Sequence, residues 1–123
     1  MHIIRTAEDM ARALNQPLDT TLDECLRRHR DTLACYPDIP FEDLALFVIV
    51  QAGDSLKEVE PACGYRLVAE GSFAFPVETI TYLSGWYEVV WIISDDGYGL
   101  VLFIQDHADT DRDLLTACMA TTG

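Results

Sequence analysis

The chain is expected to fold as an α+β protein, a small antiparallel sheet of three or four strands packed with four or five short helices. Two observations carry that expectation. Residues 86–94 and 99–105 are two apolar, β-rich runs flanking Asp95-Asp96-Gly97-Tyr98, which reads as a hairpin. Upstream of them, helical stripes begin behind recognisable caps. At 123 residues, half of them hydrophobic, the chain fits one domain over 1–123 with a sizeable core.

Taken in order, His2-Ile3-Ile4-Arg5 reads as a short edge strand. Thr6 is an N-cap, with Glu8 and Asp9 in the first helical turn where the dipole favours acid, and the helix runs to about Asn15, before Pro17. A second helix is expected from Thr21, where Glu24 completes a capping box. Its stripe is Leu22, Cys25, Leu26, His29 and Leu33; Arg27, Arg28 and Arg30 fall on the other faces as a basic cluster. Tyr36-Pro37-Asp38-Ile39-Pro40 stops it. Phe41–Leu44 then allows one helical turn before the β-prone run Leu46-Phe47-Val48-Ile49-Val50.

Ser55 and Glu58 make another capping box for a helix reaching about Cys63, shortened or bent by Pro61 and closed by Gly64 at C′. Residues 68–75 carry no decisive pattern. Residues 78–83 suit a helical turn after Pro76, with a strand as the competing assignment, and Ser84-Gly85 ends them. In the strands 86–94 and 99–105 the apolar run is continuous instead of alternating, so both sheet faces must be covered, by helices or by another subunit. A C-terminal helix is expected from Asp109 or Thr110 to about Met119, with Leu114, Leu115 and Cys118 as its stripe.

Charge narrows the partners. Up to Tyr36 there are six acidic and five basic side chains; from Pro37 onward there are fifteen acids against Lys57, Arg66 and Arg112, and the whole chain carries −13. Direct nucleic-acid binding needs clustered Lys and Arg for phosphate contacts, and anionic membranes repel an acidic surface, so neither partner is expected. No run approaches the length of a spanning helix. Met1-His2-Ile3-Ile4-Arg5 offers no apolar leader segment, which predicts a cytoplasmic protein with Cys25, Cys35, Cys63 and Cys118 as reduced thiols.

Candidate chemistry is sparse. Asp109-Thr110-Asp111-Arg112-Asp113 spaces carboxylates like the first ligands of a calcium loop, but Leu114 stands where Gly is required and Ala120 where a bidentate Glu is required. Asp106, His107, Asp109 and Asp111 together form a candidate divalent-metal cluster. The competing account is a helix N-terminus loaded with acid. Asp95 and Asp96 are candidate contacts at a hairpin tip whose Asp and Gly also suit the turn. Tyr98 lies beside them. Trp86 and Tyr87 face opposite ways in a strand, so one of them is a candidate surface anchor for a protein partner. His29 on an apolar stripe reads as a partly buried core residue. Cys63, near a helix C-terminus and two glutamates, is expected to have a raised pKa and no nucleophilic role. No phosphate loop, nucleophile elbow or nucleotide fingerprint occurs, and no cofactor is implied.

The runs Phe47-Val48-Ile49-Val50-Gln51 and Ile93-Ser94-Asp95-Asp96-Gly97-Tyr98-Gly99-Leu100-Val101-Leu102-Phe103 resemble small acidic proteins of proteobacteria, some encoded beside genes of plasmids and integrative elements. The resemblance spans about two thirds of the chain and implies no activity and no catalytic residues. The sequence therefore points to a non-enzymatic, protein-binding or accessory module, its partner another protein or a second copy of itself. The alternatives are an acidic mimic of nucleic acid that occupies the basic groove of a nuclease or DNA-binding protein, and a metal-assisted enzyme of small molecules.

Overall fold

A computed structural model describes residues 2–51, 53–69, 72–73, 77–93 and 97–106. The elements are β1 (His2–Ile4), α1 (Ala7–Leu14), α2 (Thr20–Leu33), α3 (Phe41–Leu44), β2 (Ala45–Val50), α4 (Leu56–Cys63), β3 (Val68–Ala69), β4 (Ser72–Phe73), β5 (Thr79–Leu83), β6 (Trp86–Ile92) and β7 (Gly99–Gln105). Five strands form one sheet in the order β1-β2-β7-β6-β5, and β3 and β4 form a separate two-stranded ribbon.

The fold is α+β, as expected, but the sheet is mixed and larger than the antiparallel one the sequence suggests. β6 and β7 pair antiparallel from Trp86↔Gln105 to Ile92↔Gly99, which is the expected hairpin. β2 and β7, however, run parallel from Ala45↔Gly99 to Val50↔Ile104. A parallel pair needs a crossover, and the chain between them supplies one through α4 and the β5–β6 hairpin. Residues 79–83 are a strand and not a helical turn. Thr79, Ile80, Thr81 and Tyr82 are β-branched or aromatic, and Ser84 and Gly85 (φ 40° and 98°) make the two-residue turn with positive φ that joins right-twisted strands. Four helices lie among the described residues; the C-terminal helix expected from Asp109 or Thr110 lies outside them.

The continuous apolar strands are accounted for by helices of the same chain on both faces. Every residue of β2 is buried. Leu46, Val48 and Val50 join Tyr87, Val89, Trp91, Leu100, Leu102 and Ile104 on one face, under Leu56, Val59 and Cys63 of α4. Phe47 and Ile49 join Val101, Phe103 and Trp86 on the other, under Met10 and Leu14 of α1 and Leu22, Cys25 and Leu26 of α2. Each such side chain contributes about 1.5–3 kcal/mol on burial, so the two layers dominate stability.

The caps behave largely as the sequence suggests. Thr6 accepts from Asp9 N, and Ser55 accepts from Glu58 N. Gly64 closes α4 in the left-handed conformation at φ 86°, where an L side chain is strained. One cap is corrected: α2 starts at Thr20, because the Asp19 carboxylate accepts from Thr21 N at 3.0 Å. Asp is a stronger N-cap than Thr, so Thr21 is drawn inside the helix.

Candidate functional site

A concave feature of the described surface lies between α1 and α2. On α1, Ala7, Met10, Ala11 and Leu14 recur at helical spacing and present one face. On α2, Arg27, Arg30 and Ala34 flank the stripe that packs on the sheet. Between these two faces runs an open groove of 760 Å³, completed by Leu33, Phe41 and Leu44 and by the connecting loop through Tyr36, Pro37 and Ile39. Its floor is core: Met10 and Leu14 are buried. Its outer wall is exposed, with Tyr36 at 52% and Ile39 at 44% of their full accessibility. The loop is held by short turns, Tyr36 N donating to Leu33 O and Ile39 N to Tyr36 O, so two large apolar side chains project beside the groove on ordered backbone.

Three arginines rim this groove, and among the described residues no Asp or Glu lines it. Arg27 donates from Nε to Asp23 at 2.8 Å and reaches the carbonyl of Leu14, the last residue of α1, where positive charge suits the helix dipole. Arg12 pairs with Asp9, and Arg30 with its neighbour Asp31. The Arg12 side chain is largely exposed, and those of Arg27 and Arg30 are about half exposed.

A second cluster lies under α2. His29 Nε2 is 3.2 Å from Glu88 Oε2 of β6, and the imidazole stands edge-on to Phe47 and Phe103. Cys25 sits one helical turn before His29 and is buried. Thiol, imidazole and carboxylate in one neighbourhood suggest a nucleophile, but the electrostatics oppose it. Burial pushes the Cys25 pKa up, and the charge of Glu88 pushes it further in the same direction. An activated thiol needs the reverse. The cluster therefore satisfies polar groups at the edge of a core and does not prepare an attack.

The residues singled out from sequence are mostly not brought together. Trp86 and Tyr87 do face opposite ways, yet each is buried in its own layer, at 6% and 8% exposure, so neither is a surface anchor. Tyr98 is half-buried against the α4-side layer; its carbonyl accepts from Ile93 N, and burial raises its phenol pKa. Asp106 closes against the β5–β6 turn, its N–H donating to Gly85 O at 2.8 Å and its carboxylate accepting from the Tyr82 hydroxyl at 3.2 Å. Asp95, Asp96, His107, Asp109 and Asp111 lie outside the described residues. Among the described residues no three His, Cys, Asp or Glu side chains are arranged to hold a metal ion. No described helix is long and apolar enough to cross a membrane. Cys63 has a raised pKa, as expected, with burial and not the neighbouring glutamates as the main cause.

Sequence reasoning missed the groove and Glu88, though both left signals. Tyr36 and Ile39 are large apolar residues set among prolines in a segment that only ends a helix. Glu88 is the one charge inside the apolar run Trp86-Tyr87-Glu88-Val89-Val90-Trp91.

Comparison of the chain with family models, with curated proteins and with solved structures finds no match. The structure itself defines the class: an α+β protein whose mixed five-stranded sheet is covered by helices on both faces.

Proposed function

We propose that this chain is a non-enzymatic protein-binding module that receives a segment of its partner in the groove between α1 and α2. The observation that carries the reading is the coincidence of an apolar floor with two exposed large apolar residues, Tyr36 and Ile39, on one ordered wall. Interface anchors are typically aromatic or large aliphatic side chains next to a pocket, and a groove between helices is a common seat for a partner helix. The apolar strands, which first suggest a second copy stacked on the sheet, offer little to such a contact: Val89 and Trp91 are fully buried under α4. Replacing either with Asp would unfold the chain instead of testing association.

A photo-crosslinking residue at position 36, in the intact chain expressed in its host, tests the proposal. The expected result is a discrete protein adduct at position 36 that Ile39→Asp abolishes, with none from the same probe at the exposed, remote Lys57. Adduct mass separates a second copy from a different protein. Equal labelling from both positions, or an adduct indifferent to Ile39→Asp, would overturn the reading.

A further inference from the structure

We infer that the segment seated in this groove is an acidic amphipathic helix, its apolar stripe on the groove floor and its carboxylates against Arg12, Arg27 and Arg30. The inference rests on the groove being the binding site and adds the chemistry of the occupant. The chain has eight basic side chains against 21 acidic ones, yet the groove's described lining holds three arginines and no carboxylate. A basic helix would set its cations against that rim, whose neighbouring acids Asp9, Asp23 and Asp31 are already paired with the arginines. An acidic one finds a guanidinium on either side, from Arg12 on α1 and from Arg27 and Arg30 on α2.

The spacing suits a helix. Arg27 and Arg30 stand about 4.5 Å apart along the axis of α2, the rise between carboxylates three positions apart on a docked helix. Arg also binds carboxylates through several fixed donors, and each rim arginine retains donors beyond those already used. Their present partners, Asp9, Asp23 and Asp31, make exposed pairs within the same helix, which are weak and easily shared.

The −13 total charge does not oppose this docking, because charges beyond about 8 Å are largely screened at physiological ionic strength. Only the α1 and α2 side of the groove carries the positive rim, so an acidic segment is held along that side.

A display library tests the occupant: helix-forming 18-residue peptides with a fixed Leu stripe and flanking positions drawn from Glu, Gln and Lys, selected on the intact chain. Glu should be enriched at the flanking positions, and the selected acidic peptide should bind at least ten times more tightly by fluorescence anisotropy than its Lys counterpart. Arg27→Glu/Arg30→Glu should invert that preference, with Arg12→Glu, 72% exposed, as the second variant should the double one fail to fold. Selected peptides without charge bias, or rich in Lys, that Ile39→Asp still excludes would overturn the acidic occupant and leave the groove as the binding site. Tighter binding of dodecanoate than of any peptide would overturn the helical occupant. If no selected peptide is sensitive to Ile39→Asp, both the occupant and the groove reading fall.

Discussion

The imidazole of His29 and the carboxylate of Glu88 meet at 3.2 Å across the interface of α2 and the sheet, although 59 residues separate them in the chain. Glu88 stands opposite Phe103 in the β6–β7 register, and His29 contacts the rings of Phe103 and Phe47. A carboxylate in an aromatic neighbourhood loses hydration and needs a donor, which the next layer supplies. The pair adds a polar contact to the apolar packing of Leu22, Cys25 and Leu26 that seats α2, the helix carrying Arg27 and Arg30, on the sheet.

The two side chains should be energetically coupled. Removing one leaves the other partly desolvated without its partner, whereas removing both leaves an apolar contact. His29→Leu alone should cost about 1–2 kcal/mol, and His29→Leu/Glu88→Leu should return to within about 1 kcal/mol of the parent. Urea denaturation followed by tryptophan fluorescence measures both. Strict additivity of the single changes would show that the contact contributes nothing.

The thiols should differ sharply in reactivity. Cys25 and Cys63 are buried, and burial raises both pKa values; Cys35 is exposed. Alkylation follows thiolate fraction and access, so buried thiols wait for local opening. In a Cys118→Ser background, Cys35 should be modified at least about 100-fold faster than Cys25 or Cys63, which should react together on unfolding. Mass spectrometry of iodoacetamide-treated protein assigns the sites. Native-state labelling of Cys25 at a rate near that of Cys35 would reinstate it as a nucleophile beside His29.

Local signals made most of the fold legible. Thr6, Ser55 and Gly64 announced helix ends because caps act through neighbouring backbone groups. The 86–105 hairpin was legible for the same reason. The parallel pairing of β2 with β7 was not, since it joins segments about fifty residues apart and no local turn encodes it. The continuous apolar runs at 86–94 and 99–105 signalled only that both sheet faces are covered. The groove was not legible: Arg27 and Arg30 read only as a basic cluster on the outer faces of a helix, and only the packing of α1 beside α2 turns that face into a rim. Trp86 and Tyr87 were misjudged because alternation in a strand shows that two side chains part company, not which face stays open.

Acid should destabilise the first helix in a predictable window. Asp9 accepts from Arg5 N at 3.0 Å, pairs with Arg12 and donates its own N–H to Thr6, a reciprocal cap that locks β1 to α1. Its carboxyl is held below the ordinary 3.8, chiefly by the Arg5 backbone N–H and secondarily by Arg12, against an opposing contribution from burial. Because the folded-state pKa lies below the unfolded one, the unfolded chain binds the proton more readily. The stabilisation is therefore complete above the unfolded pKa and disappears as pH falls through the folded one. Thermal melts of the parent and Asp9→Asn should differ most near pH ~6 and converge below pH ~3, the parent losing more on acidification. Arg12→Ala should reduce that pH dependence without abolishing it, since the Arg5 N–H, the largest single cause, remains. A constant gap between parent and Asp9→Asn across the range would mean that the carboxylate is not held in its charged form by the fold.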